Sequence, residues 1–277
     1  GHFRLPNIYA PFVKSALESL DGIDVEDTPS WRTRAGQYNR SLEIEPAKLG
    51  QPLDGILRPY QKYGVSWLSF MEANGFCGLL ADEMGLGKTL QTLAWLQLQR
   101  RHPDAKGKPA LIVCPTTLVE NWAEEAAKFV PGMKILNLTG SERQDRWQQL
   151  GKTDIAVTSY AILRRDVEKF AEYQFAAAIL DEAQHIKNKS TQNSLAAKQI
   201  KAFHRLVLTG TPIENGVSDL WSIMDFLMPG YLGSHDTFKF NYEAPIAEGG
   251  AEGEAAQSKL RRKLHPFLLR RLKSEVA

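Results

Sequence analysis

The chain has 277 residues, with 34 Lys or Arg against 32 Asp or Glu and a formal charge of +2. That length holds one large α/β domain with an appendage, or two small domains, and ordinary apolar and charged fractions (43% and 24%) exclude a disordered chain. Near-neutral charge gives no global argument for nucleic acid, and no apolar run approaches the roughly 18 residues of a membrane span, so no membrane partner is expected.

The N-terminus lacks the basic-then-apolar layout of a secretory signal. An intracellular protein is expected: cytoplasmic or nucleoid-associated in a bacterium, nuclear in a eukaryote. Residues 1–55 carry an amphipathic stretch, Pro11–Leu20, then a polar region with Pro29, Pro46 and Pro52, and read as a small accessory segment. From residue 56 onward the pattern changes. Apolar strand candidates at Phe76–Ala81, Ala110–Cys114, Lys134–Leu138, Asp154–Thr158, Ala176–Leu180 and Arg205–Leu208 alternate with helical patterns. The helical patterns run over Thr89–Arg101, Leu118–Phe129, Arg143–Leu150, Tyr160–Phe170 and Ser190–Ile200. Runs such as LIVC and AAAIL, with little alternation, predict strands buried on both faces. This rhythm predicts an α/β fold, a parallel sheet flanked by helices on both faces. Ligands of such sheets lie at the carboxyl ends of the strands, where the motifs below all begin. Cys77 and Cys114 lie inside apolar runs and read as buried free thiols. Glu243–Gln257, rich in Gly, Ala and Glu, reads as a mobile insertion, and Lys259–Lys273 carries seven Lys or Arg and no acid. That basic run fits a solvated helix face or a phosphate-binding surface equally well.

Ala81–Thr89, ADEMGLGKT, follows the first strand candidate and opens a helix. Gly85 and Gly87 permit backbone conformations in which successive N–H groups of Asp82, Glu83, Met84, Gly85, Leu86 and Gly87 face an anion, and the helix dipole adds to them. Lys88 can reach the β- and γ-phosphates of a nucleotide, and the Thr89 hydroxyl can bind Mg²⁺. The loop departs from G-x-x-x-x-G-K-[ST] at its first position, where Asp82 replaces glycine. Asp181–His185, DEAQH, follows the strand AAAIL. Adjacent acids at a strand end supply a Mg²⁺ ligand, Asp181, and a water-activating base, Glu182. Leu208–Asn215, LTGTPIEN, places Thr209, Gly210 and Thr211 after another strand, where hydroxyls can couple to the acidic motif.

Seven blocks in order carry a resemblance: LRPYQ (Leu57–Gln61), ADEMGLGKT, CPTTLVENW (Cys114–Trp122), TSY (Thr158–Tyr160), DEAQHIKN (Asp181–Asn188), LTGTPIEN and PFLLRR (Pro266–Arg271). Together they resemble the first RecA-like lobe of the Swi/Snf-type DNA translocases of helicase superfamily two, over residues 56–277. The resemblance implies ATP and Mg²⁺ as cofactors and the duplex DNA backbone as partner. It implies adenine contact by Gln61 with Arg58 nearby, makes Asp82 a family trait, and brings CPTTLVENW and TSY to DNA. Thr116, Thr117, Thr158 and Ser159, at loop–helix junctions, then become phosphate contacts, and Lys187 adds positive charge. Trp122 reads as helix packing ahead of base stacking. One departure stands in the acidic box: Gln184 occupies the family's histidine position, and His185 follows it. Glutamine keeps hydrogen bonding and loses protonation, so Gln184 stays in the catalytic set with Lys88, Asp181 and Glu182. The resemblance also implies a second RecA-like lobe carrying arginine fingers. Residues 259–277 read as the start of the connection to it, and the sequence offers no room for it after LTGTPIEN. The chain is therefore expected to be monomeric, to bind Mg-ATP weakly and to turn it over little. Two other classes fit the motifs less fully: a nucleotide-gated binding module without turnover, and an RNA-directed helicase lobe, which would show Asp-Glu-Ala-Asp and Ser-Ala-Thr.

Overall fold

In a computed structural model, residues 44–100, 105, 107–188, 190–210 and 217–276 are described. Most of the expected accessory segment, including Pro11–Leu20, lies outside them. Seven strands form one parallel sheet in the order β3-β4-β2-β5-β6-β1-β7. They are β1 (Gly78–Leu80), β2 (Ala110–Cys114), β3 (Ile135–Asn137), β4 (Ile155–Ser159), β5 (Gln174–Asp181), β6 (Lys201–Leu208) and β7 (Leu268–Leu269). All five residues of β2 and of β4 are buried, as are the last seven of β5. Helices cover both faces, which is why these strands read as continuous apolar runs rather than alternating ones. Each of the six strands expected from sequence forms.

The seventh strand was not expected. Leu268–Leu269 pairs with β1 in the register Leu79↔Leu268 and Leu80↔Leu269, and so covers the edge that β1 would otherwise expose. Two residues are too few to show a period, and the flanking arginines mask them as part of a basic run. The pairing continues past the strand: Ala81 N–H donates to the Leu269 carbonyl at 2.7 Å and Glu83 N–H to the Arg271 carbonyl at 3.0 Å. The far end of the chain is thereby bonded to the entrance of the glycine-rich loop.

The Glu243–Gln257 segment, expected from composition to be a mobile insertion, is mostly helical: Ala244–Glu248 and Gly250–Leu264 are both helices. Alanine and glutamate favour helix, and the longer helix unites the acidic segment with the basic one. Glu252 sits in its first turn and Arg261, Arg262 and Lys263 in its last, the arrangement that complements the helix dipole. Leu260 and Leu264 anchor it in the core. Cys77 and Cys114 are both buried free thiols. Among the described residues, no helix is long and apolar enough to cross a membrane.

Candidate nucleotide site

The loop after β1 turns into the Lys88–Gln99 helix through Gly87, whose φ of 77° is left-handed. Glycine is also needed there for space, because a Cβ would lie 2.5 Å from Gln61 Nε2. Gln61 binds the loop from beneath: Nε2 donates to the Leu86 carbonyl at 3.2 Å, while Oε1 accepts from the Arg58 N–H at 3.0 Å. Both ends of the amide that the resemblance assigns to adenine are thus engaged within the protein, and Arg58 is exposed beside it. Lys88 Nζ donates to the Asp82 carbonyl at 2.7 Å, folding the lysine back across the cradle. Burial lowers its pKa, opposed by the charges of Glu182, Asp181 and Asp82. Thr89 and Glu83 are half-buried, whereas Met84 and Gly85 are exposed at the loop's tip.

Asp82, the departure from the usual loop, has a fully buried side chain in an ion pair with Arg271 of PFLLRR. Arg271 Nε donates to Asp82 Oδ1 at 2.9 Å and Nη2 to Gln91 Oε1 at 2.7 Å, and the guanidinium also bonds the Tyr60 carbonyl. Gln91 Nε2 completes the cluster on Asp82 Oδ2 at 3.2 Å. A glycine at position 82 would leave this arginine buried beside polar groups without a counter-charge.

Asp181 ends β5, two strands from β1, with β6 between them. Its Oδ2 accepts from Trp122 Nε1 at 2.9 Å, its Oδ1 from the Glu182 N–H at 2.9 Å, and its carbonyl from the Tyr160 hydroxyl at 2.9 Å. Burial pushes the Asp181 carboxyl up to about 6; the Trp122 and Glu182 N–H bonds and the Lys88 charge pull the other way. Glu182 has φ 52°, making it the one non-glycine residue with positive φ among the described residues. An acid held in a left-handed conformation at the end of a central strand marks a position where geometry outweighs backbone comfort. Gln184 and His185 are both exposed on the following turn, and the His185 ring stacks on Tyr160 at 4.8 Å.

After β6, the Thr209 N–H donates to the Leu80 carbonyl at 3.2 Å, so LTGTP begins against β1. Gly210 lies on the glycine-rich loop: a Cβ there would come 2.9 Å from Met84 Cγ and 3.9 Å from Lys88 Nζ. Thr211 lies outside the described residues. The loop, the acids and the start of the coupling motif therefore meet at the carboxyl ends of β1, β5 and β6. Thr89 and Asp181 offer oxygen ligands only, and among the described residues there is no cluster of three His, Cys, Asp or Glu side chains. That donor set fits Mg²⁺, which takes one or two protein oxygens and leaves the rest to phosphate and water.

The residues expected to face DNA divide. Thr116 and Thr117 are exposed on the turn between β2 and the Val119–Phe129 helix, open to a phosphate. Thr158 is fully buried with its hydroxyl on the Leu138 carbonyl at 2.8 Å, and Ser159 is buried, its oxygen capping the Tyr160–Arg165 helix through the Ile162 N–H. The fold uses both oxygens: Thr158 ties β4 to the Leu138 carbonyl just past β3, and Ser159 satisfies a free N–H of the helix it opens. Lys187 is likewise turned inward: its side chain is 9% exposed and pairs with Asp219 at 3.4 Å. Sequence reasoning passed over Trp122 as a ligand of Asp181 and Arg271 as the partner of Asp82. An indole N–H in an apolar helix and an acid in place of glycine were the available signals.

A family model described as SNF2-related domain matches residues 60–277. The chain belongs to the SNF2-related family. Among relatives of this SNF2-related chain, the TATA-binding protein-associated factor mot1 of Schizosaccharomyces pombe is 36% identical over 255 residues, covering 84% of this chain and 13% of that protein. The putative ATP-dependent helicase/translocase YwqA of Bacillus subtilis is 36% identical, with 92% and 28% covered. The solved Sulfolobus solfataricus SWI2/SNF2 ATPase core in complex with dsDNA superposes with a TM-score of 0.74 at 40% identity, covering 84% of this chain and 48% of that one. The RecA-like fold of the SNF2-related core is thereby shared. The chain spans 13% and 28% of those two relatives and 48% of that core.

Proposed function

We propose that this chain is the ATP-binding lobe of a motor that hydrolyses ATP, moves along duplex DNA and remodels the protein–DNA complexes in its path. The observation that carries the reading is the meeting of Lys88, Asp181 and Glu182 at the ends of β1 and β5, with Gly210 of the coupling motif packed against the loop between them. The loop N–H groups and Lys88 hold the phosphates, with Lys88 exchanging its bond to the Asp82 carbonyl for a phosphate oxygen. Thr89 and Asp181 hold Mg²⁺, which when bound neutralises charge on the transferred phosphoryl group. Glu182 orients the attacking water and takes its proton, and Thr209–Thr211 read the outcome. Duplex DNA lies across the exposed Thr116–Thr117 turn, contacted through its backbone and so without sequence preference. The dsDNA in the solved Sulfolobus complex supports this partner.

The matched region is about half of that solved core, which supports a second lobe closing the cleft and supplying arginine fingers worth about 10³–10⁵ in turnover. The chain alone then binds Mg-ATP weakly, turns it over slowly and is monomeric. The test is ATP turnover by the protein carrying both lobes, with duplex DNA, single strands and RNA compared. Stimulation chiefly by duplex, abolished by Lys88→Ala and Glu182→Gln, is expected. Unchanged duplex-stimulated turnover in Glu182→Gln overturns the assignment.

A further inference from the structure

Two ring-borne donors converge on Asp181, and each sits at the start of a helix next to the expected DNA edge. Trp122 lies one turn into the Val119–Phe129 helix, directly after the exposed Thr116–Thr117 turn. It is 1% exposed, and its indole N–H bonds the Asp181 carboxylate rather than a backbone carbonyl. Tyr160 opens the Tyr160–Arg165 helix capped by Ser159, and its hydroxyl bonds the Asp181 carbonyl. The exposed His185 ring stacks on Tyr160. Asp181 is thus held at three atoms: Oδ2 by Trp122, Oδ1 by the Glu182 N–H and its carbonyl by Tyr160. Each carboxylate oxygen keeps a second lone pair for a cation or its water. A small movement of the Trp122 helix is passed to the carboxylate, and one of the Tyr160 helix to the Asp181 main chain, since packed interiors transmit strain.

We infer that Trp122 and Tyr160 are positioning residues that tie the placement of Asp181 to the helix behind the exposed Thr116–Thr117 turn and to the helix that Ser159 caps, so that DNA docking on the Thr116–Thr117 turn resets the Mg²⁺ ligand. This inference rests on the proposed function, since it takes Asp181 as the Mg²⁺ ligand and that turn as the DNA face. Trp122, at 1% exposed, is buried behind Asp181 and acts through it. Loss of such an outer hydrogen bond typically lowers metal affinity about 10–100-fold. The inference also accounts for an indole at position 122, since an apolar ring there has no N–H to hold the carboxylate.

The test uses a fluorescent ATP analogue titrated with Mg²⁺, together with nitrogen-15 indole NMR of the chain. Trp122→Phe is expected to raise the Mg²⁺ concentration needed for nucleotide binding about tenfold while leaving metal-free nucleotide binding unchanged. The indole signal that Trp122→Phe removes is expected to shift on adding Mg²⁺ with the analogue, and also on adding a mixed-sequence duplex without nucleotide. A wild-type Mg²⁺ dependence in a folded Trp122→Phe protein, or an indole signal unmoved by saturating duplex, overturns the inference. If Trp122→Phe fails to fold, Tyr160→Phe retains the ring and removes one hydroxyl, and the wild-type NMR titration needs no variant beyond it. The signal is then assigned by its contact to Asp181, and the same two outcomes decide. Wild-type protein that binds neither Mg-nucleotide nor duplex overturns the proposed function itself, a result distinct from wild-type binding with an unaltered Trp122→Phe.

Discussion

Asp82 and Arg271 stand 189 residues apart in sequence, yet Arg271 Nε donates to Asp82 Oδ1 at 2.9 Å in the interior. The pair fastens the loop that is proposed to hold phosphate to the last strand of the sheet. It gives a structural reason for an acid where the general loop pattern has glycine: the position faces a buried guanidinium.

Removing either partner leaves the other charge buried alone. Asp82→Ala or Arg271→Ala is expected to lower stability by about 3–5 kcal/mol, read from urea unfolding of the chain. The double variant is expected to lose less than the two singles together, because each single already forfeits the shared interaction. Additive losses in that cycle would show that the two side chains do not depend on each other.

Glu182 invites a substitution in which stability and turnover part. Its φ of 52° costs a non-glycine residue about 1–2 kcal/mol, and glycine adopts that conformation freely at some expense in unfolded-chain entropy. Glu182→Gly is therefore expected to match or exceed the parent's stability, by up to about 1 kcal/mol, while ATP turnover of the two-lobe protein is lost. Thermal unfolding alongside steady-state hydrolysis checks both halves.

The Asp181 carboxyl, pushed up to about 6 by burial, sets the pH window expected for the proposed Mg²⁺ site. A raised carboxyl pKa means the folded protein keeps a proton that the unfolded chain has already released, so this group favours folding below its folded pKa and that benefit fades as pH rises through about 6. Metal binding runs the opposite way, since only the carboxylate is a ligand. Mg²⁺-dependent nucleotide binding is expected to weaken about tenfold per pH unit below that value and to level off above it. Titrations at fixed nucleotide across that range measure it, and a pH-independent Mg²⁺ affinity would contradict the assignment of Asp181.

Both cysteines are expected to resist thiol reagents in the native state. Burial pushes the Cys114 thiol up to about 12, with the Asp181 charge adding to it, and raises Cys77 as well. At neutral pH almost no thiolate is present to react. Thiol counting with and without denaturant should give none reacting quickly in the folded protein and both in the unfolded one.

Much of this was legible from residue patterns. Runs such as LIVC and AAAIL are buried strands because helices cover both faces of the sheet, and apolar continuity records that directly. The loop, the acids and Thr209–Gly210 were also readable, since strand ends of a parallel sheet collect on one edge. What sequence hid was long-range or one-to-one. Leu268–Leu269 is too short for periodicity, and the Asp82–Arg271 pair has no local signature. Trp122 looked like packing because an indole is mostly apolar, and its single N–H reveals its purpose only when the acceptor is seen. Thr158, Ser159 and Lys187, expected from the sequence to face DNA, have their side chains engaged inside the fold, on the Leu138 carbonyl, on the Ile162 N–H and on Asp219, which no local pattern announces.

The short ladder between β1 and β7 has a mechanical meaning. Two backbone bonds beyond it, Ala81 N–H to Leu269 and Glu83 N–H to Arg271, join the loop proposed to hold phosphate and the segment around residue 270 into one mechanical unit. A pull on that segment strains the loop, and an anion that stiffens the loop resists the pull by the same free energy. If the loop holds nucleotide as proposed, tension and nucleotide affinity are then two readings of a single spring.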